Sequence, residues 1–157
     1  MRNQPPAESA VTPNPGVRSQ HVSDVMRRDF ITISRGESLL EALQLMRLAR
    51  LRHLTIESEG VLVGILSYRD LQDELLARLD PGDRLEAAPG PGCAAAVEQL
   101  AGSPYSIAPD ATLAEAAARL ERLRVGCLPV VEVGEQGLRV VGLLTEMDLL
   151  RAAYGTS

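Results

Sequence analysis

The sequence predicts an α/β fold of two pseudo-symmetric repeats, each ordered strand, helix, strand, strand, helix, packed together through their sheets. Three observations point there. Gly64-Ile65-Leu66-Ser67-Tyr68-Arg69-Asp70 returns as Gly142-Leu143-Leu144-Thr145-Glu146-Met147-Asp148. Ser38-Leu39-Leu40-Glu41 and Thr112-Leu113-Ala114-Glu115 stand 74 residues apart, and each sets a hydroxyl three residues ahead of a carboxylate. Ile33, Ala42, Met46, Leu54 and Ile56 find apolar partners at the same separation in Ile107, Ala116, Leu120, Leu128 and Val130. One such unit has too little core to stand comfortably alone, whereas two stacked units cover each other and leave two related clefts at their junction.

The elements follow in order. Phe30–Ile33 is a short apolar strand. Ser38 and Glu41 form a capping box, the hydroxyl accepting from one end of the first turn and the carboxylate from the other. Leu39, Ala42, Leu43, Met46 and Ala49 then recur at helical spacing. Leu54–Ile56 and Val61–Leu66 flank the turn residues Ser58-Glu59-Gly60 and read as a hairpin. Tyr68 to about Ala77 closes the first repeat as a helix. In the second repeat Thr112 and Glu115 repeat the box, and Leu113, Ala116, Ala117 and Leu120 repeat the stripe. Leu128–Val133 and Leu138–Leu144 form the hairpin, and Glu146 to about Ala153 the closing helix. The separation widens to 78 residues after the hairpin turn. The four extra residues are expected around Gly134-Glu135-Gln136-Gly137, because turns absorb insertions best. Residues 1–20 form a polar, Pro-rich tail, 21–79 the first repeat, 80–93 a Pro/Gly linker and 94–157 the second repeat.

Composition narrows the chemistry. Hydrophobic residues make up 45% and aromatics only 3%, so the core is built from Leu, Val, Ile and Ala. All 16 basic residues are Arg. This excludes a P-loop lysine and a Schiff-base lysine. A formal charge of −5 argues against nonspecific nucleic-acid binding while leaving room for a local Arg cluster. Cys93 and Cys127 have no metal-ligand or CxxC spacing and read as free thiols in a reducing cytoplasm. No signal peptide and no apolar run of about 20 residues is visible, so a soluble cytoplasmic protein without membrane contact is expected.

The residues now in hand resemble a tandem CBS (cystathionine beta-synthase) domain pair, a Bateman module. The resemblance rests on Asp24-Val25-Met26, Ile31-Thr32-Ile33-Ser34, Leu39-Leu40-Glu41-Ala42, His53-Leu54-Thr55-Ile56 and the Gly64–Asp70 motif. It rests equally on Tyr105-Ser106-Ile107-Ala108-Pro109-Asp110, Leu113-Ala114-Glu115-Ala116, Cys127-Leu128-Pro129-Val130-Val131 and the Gly142–Asp148 motif. It covers about Val22 to Tyr154. It implies a regulatory, non-enzymatic module that takes an adenine nucleotide (AMP, ADP or ATP), S-adenosylmethionine or another adenosyl compound as a regulatory ligand, with no required cofactor. It further implies a stand-alone homodimer that signals to a regulated protein partner. Two departures make the clefts unequal. Thr55 stands where the second copy keeps Pro129, and Gln99–Ser103 lacks the pattern of Met26-Arg27-Arg28-Asp29.

Ser67 with Asp70, and Thr145 with Asp148, are the sharpest candidate ligand contacts. A carboxylate accepts from both ribose hydroxyls, and a hydroxyl at a helix N-terminus suits phosphate. The alternative is that each pair only caps its helix. The resemblance implies that Ile31 and Thr32, with Tyr105 and Ser106, receive adenine; ordinary strand packing is the competing reading. Arg52 and His53, beside Arg50, form the one suggestive basic cluster, suited to phosphate or to complementing a helix C-terminus. In the second copy the cluster thins to Arg124, Gly126 and Cys127, which suggests a weaker phosphate site. No metal site and no catalytic constellation are expected. The alternative function is a ligand-independent dimerisation or protein-interaction module.

Overall fold

The computed structural model describes residues 14–78 and 105–155. The tail before residue 14, the linker, Cys93 and Gln99–Ser103 lie outside these residues. The chain runs α1 (Val22–Val25), β1 (Thr32–Ser34), α2 (Leu39–Leu48), β2 (His53–Ser58), β3 (Val61–Ser67) and α3 (Tyr68–Arg78). It continues through α4 (Leu113–Leu123), β4 (Cys127–Gly134), β5 (Gly137–Thr145) and α5 (Glu146–Tyr154). β1 pairs parallel to β2, which pairs antiparallel to β3; β4 and β5 form the second antiparallel hairpin. Among the described residues the expected elements are present except the opening strand of the second repeat, and β1 starts two residues later than Phe30.

Each half folds for the same local reasons. Both predicted capping boxes form. Ser38 Oγ and N–H donate to Glu41 Oε2 at 2.7 and 2.9 Å, and Thr112 Oγ1 and N–H donate to Glu115 Oε2 at 2.8 and 2.7 Å. The first hairpin turns through Glu59 and Gly60 at φ 53° and 79°, the paired positive values that suit right-twisted strands. Both hairpins carry a β-bulge at the equivalent place, Ile56/Glu57 and Val130/Val131. The four extra residues do not lengthen the turn. β4 and β5, at 8 and 9 residues, are each two residues longer than β2 and β3, at 6 and 7, while Gly134 still pairs directly with Gly137. Adding equal lengths to both strands keeps every side chain on its own face.

The second half has no counterpart of β1 among the described residues beyond a single parallel bridge, Ile107 to Val130. In the first half the pairing continues through the Arg35 N–H, which donates to Glu57 C=O at 3.0 Å. Pro109 occupies the equivalent position and has no N–H to give. Thr55, where the second half has Pro129, is fully buried, and its hydroxyl donates to Ile31 C=O at 3.3 Å. That bond satisfies the buried oxygen and ties the segment before β1 to β2.

Two apolar cores result. One holds Ile33, Leu39, Ala42, Met46, Leu54, Ile56, Leu66 and Leu71. The other holds Ile107, Leu113, Ala116, Leu120, Leu128, Val130 and Leu144, and also Val22 and Met26. The segment that opens the first repeat in sequence is therefore buried in the second half. Val22 and Ser23 N–H, which a first helical turn leaves without internal partners, donate to Ala111 and Pro109 C=O at 2.8 and 2.9 Å. Arg27 exchanges two backbone bonds with Leu143, at 2.8 and 2.9 Å. Gly142 permits this approach, since a Cβ there would stand 2.7 Å from Met26 Sδ and 2.9 Å from Arg27 O. Burying Val22 and Met26 contributes roughly 1.5–3 kcal/mol each and clamps the halves together.

Candidate functional site

Two clefts open at the junction of the halves. The first, about 810 Å³, is lined by Arg47 and Arg50 from the end of α2, Arg52 and His53 from the start of β2, Ser67, Arg69 and Asp70 from the β3–α3 junction, and Tyr105, Arg124 and Gly126 from the second half. The second, about 540 Å³, is lined by Arg27, Asp29, Phe30, Ile31, Cys127, Thr145, Glu146, Met147 and Leu150, together with Arg50, Leu51, Arg52, His53 and Gly126. The clefts are crossed. Tyr105, from the second repeat, faces the closing motif of the first, and Ile31, from the first repeat, faces the closing motif of the second.

Arg50 and Arg124 follow helices α2 and α4 at equivalent positions, both in the left-handed region at φ 53° and 55°. Glycine is the usual residue there, and a side chain in that conformation carries strain of roughly 1–2 kcal/mol. The sequence accepts that strain twice and sets a guanidinium at the junction each time. Backbone bonds hold the wall in register: Tyr68 N–H donates to Arg52 C=O at 2.8 Å, and Glu146 N–H to Gly126 C=O at 3.2 Å.

The two closing motifs both form caps but differ in exposure. Ser67 Oγ donates to Asp70 Oδ2 at 2.5 Å and accepts from Asp70 N–H at 3.1 Å, and both residues line the first cleft. Thr145 Oγ1 and N–H donate to Asp148 Oδ2 at 2.6 and 2.9 Å. Asp148 is only 7% exposed, and Thr145 alone of the pair lines the second cleft. The capping reading therefore describes both motifs, and the Asp70 motif also faces a cavity.

Of the other candidates, Arg52 and His53 line both clefts, Tyr105 lines the first and Ile31 the second. Thr32 lies instead in a shallow outer groove with Ile33, Ser34 and Glu41. Ser106 lines neither cleft. Alternation along an extended segment explains both placements, since the neighbours Ile31 and Tyr105 take the junction side. Arg47, Arg69 and Arg124 join the first cleft, whereas the sequence read Arg124 as part of a weaker second site. Arg124 was findable as the repeat partner of Arg50. Arg27, Asp29, Glu146 and Met147 had no local signal, because the exchanged segment brings the first two there.

Burial holds the His53 imidazole below its ordinary value, with Asp70 opposing and Arg52 adding to the shift, so the ring is neutral near pH 7. Burial, aided by the negative charge of nearby groups, raises the Tyr105 phenol, which stays a hydrogen-bond donor. The buried Cys127 thiol is pushed up to about 12, first by burial and then by Asp148, which leaves it a poor nucleophile. Arg27 donates to Asp29 at 3.0 Å, and the pairing draws the carboxyl below its usual range. Among the described residues no helix is long and apolar enough to cross a membrane.

A duplicated helix–hairpin–helix unit, with crossed clefts at the junction, defines the class of protein. The profile of the CBS domain family matches residues 22–77 and 97–155, and the chain belongs to that family. It is 28% identical over 132 residues to a homoserine O-acetyltransferase from Methanohalobium evestigatum, a match that covers 83% of this chain and 24% of that protein. The chain thus spans about a quarter of that relative's length. The CBS domain pair of protein MJ0100, solved in complex with 5′-methylthioadenosine and S-adenosyl-L-methionine, superposes with a TM-score of 0.67 at 23% identity, over 84% of this chain and 98% of that one. Protein MJ1225 from Methanocaldococcus jannaschii, proposed as an archaeal homologue of γ-AMPK, gives 0.70 at 25% identity, over 85% of this chain and 48% of that one.

Proposed function

We propose that this chain is a regulatory module, not an enzyme, that binds an adenine nucleotide or another adenosyl ligand between residues 21–79 and 94–157. The observation that carries the reading is the first cleft. Five arginines, Arg47, Arg50, Arg52, Arg69 and Arg124, meet one carboxylate, Asp70, and two aromatic rings, Tyr68 and Tyr105, in a chain of net charge −5. Guanidinium forks suit phosphate oxygens, a fixed carboxylate suits paired ribose hydroxyls, and a phenol ring offers a face for a base. The adenosyl compounds held by the MJ0100 pair support the same ligand class. In this reading AMP, ADP or ATP lays its phosphates along Arg50 and Arg52, with Asp70 at the ribose. S-adenosylmethionine or a related compound is the alternative occupant.

Contacts that bridge both halves favour one mutual orientation, and the change available is bounded by the ligand's differential affinity for the two arrangements. The module then reports through a cytoplasmic homodimer or a regulated partner. A second reading, a ligand-independent interaction module, is favoured by Met147, Leu150 and Tyr154, which are 54%, 52% and 46% exposed along α5. Thermal unfolding with AMP, ADP, ATP and S-adenosylmethionine separates the readings. Ligand at 100 times its dissociation constant adds about 2.7 kcal/mol. A dose-dependent rise in Tm that Asp70→Ala or Arg52→Ala diminishes supports the sensor. No rise with any of the four overturns it and leaves the interaction module.

A further inference from the structure

We infer that the two clefts share a single phosphate-binding locus, so the chain holds one phosphorylated ligand at a time, while an uncharged nucleoside fills the other cleft independently. The inference rests on the adenosyl-ligand reading and adds the rule that couples its two sites.

The coupling is visible in the linings. Arg50, Leu51, Arg52, His53 and Gly126 face both clefts. Duplication should supply a second copy of this wall, and it does not. The repeat partners of Arg50, Arg52 and His53 are Arg124, Gly126 and Cys127. Of these, only Arg124 is a cation, and it lines the first cleft alone. His53, held neutral by burial, adds no charge to either side.

Without the shared pair the clefts differ in sign. The first retains Arg47, Arg69 and Arg124 against Asp70. The second retains Arg27 against Asp29 and Glu146, and Arg27 is already bonded to Asp29 through two nitrogens at 3.0 and 3.4 Å. Phosphate in the second cleft therefore depends on Arg50 and Arg52. Phosphate in the first engages the same two guanidiniums and adds its own negative charge across a wall whose residues line both clefts. Repulsion between the anions and the loss of their common counter-charge act in the same direction. An uncharged nucleoside meets neither effect. By linkage the penalty is reciprocal, so the order of addition does not matter.

Calorimetric titration of the full chain tests this with AMP and adenosine as probes. AMP should bind at one per chain, with a second equivalent at least roughly tenfold weaker, within the usual span of coupling between sites. Adenosine should bind to AMP-saturated protein within about twofold of its affinity for a free cleft. Gly126→Arg restores the missing guanidinium at the repeat partner of Arg52. A Cβ at Gly126 meets nothing closer than Glu146 Oε2 at 3.9 Å, so the substitution meets no clash at its first carbon. This variant should bind two AMP with near-equal affinity, and raised salt should shrink the coupling in the wild type. Two equal AMP sites in the wild type overturn the shared locus and leave the adenosyl reading intact. Failure of Gly126→Arg to strengthen the second AMP, with its Tm unchanged, also overturns it. Absence of AMP binding overturns the shared locus, whereas the adenosyl reading stands or falls separately with the four-ligand thermal test.

Discussion

The two closing motifs carry the same hydroxyl and carboxylate, three residues apart, on the same kind of helix, and end in different places. Asp70 lines the first cleft, while Asp148 is 7% exposed, accepts two bonds from Thr145 through Oδ2 and does not line the second. Duplication copied the cap, and the surroundings assigned its use. In the first half the cap borders an arginine-lined cavity. In the second it lies under a strand edge that the exchanged segment at Met26-Arg27 covers. Repeat symmetry is therefore a good guide to local structure and a poor guide to which side chains face a cleft.

The exchanged segment is the strongest point at which to break the comparison. Gly142→Ala forces a Cβ to within 2.7 Å of Met26 Sδ and 2.9 Å of a carbonyl oxygen, so either the segment shifts or β5 does. Urea denaturation should register a loss of about 1–3 kcal/mol, and an unchanged midpoint would contradict the clamp. Next come the carboxylates themselves. Asp148→Ala strips a half-buried threonine N–H and hydroxyl of their acceptor and should lower stability by about 1–3 kcal/mol. Asp70→Ala removes an exposed first-turn acid and should lower it by only about 0.3–1 kcal/mol, while weakening adenosyl-ligand binding far more than Asp148→Ala does. Equal effects of the two on both readouts would erase the distinction between the caps.

The paired left-handed arginines sharpen the comparison further. Arg50→Gly and Arg124→Gly each relieve a positive φ and should raise stability by about 1 kcal/mol. Arg50→Gly should weaken AMP more, because Arg50 faces both clefts and Arg124 only one. Thermal unfolding and titration on the same two variants measure both effects.

The smallest expected effect is a pH slope confined to the first half, since Cys127 replaces the histidine in the second. The folded-state value of His53 lies below the ordinary 6.5, and burial is the main cause. The unfolded chain therefore takes up a proton first as pH falls. The stability His53 contributes is present above about pH 6.5 and is lost as pH drops toward the folded value. His53→Gln should flatten urea midpoints measured across pH 7 to 5, and an unaltered slope would place the titrating group elsewhere.

The sequence by itself determined the repeat, the capping boxes, both hairpins and the core stripes. Each depends on contacts within a few residues, such as a hydroxyl and a carboxylate one turn apart or apolar side chains at a fixed period. Leu39, Leu54 and Ile56 and their partners Leu113, Leu128 and Val130 all entered the cores as their spacing indicated. The tertiary structure alone decided the rest. It placed Val22 and Met26 in the far half, crossed Ile31 and Tyr105 between the clefts, turned Thr32 outward and buried Asp148. It also gathered Arg47, Arg69 and Arg124 from three elements into one cavity. These outcomes depend on how two sheets and one exchanged segment fit together. Two halves with the same local code must share one junction, and a residue's role there depends on which neighbour reaches it from the other half.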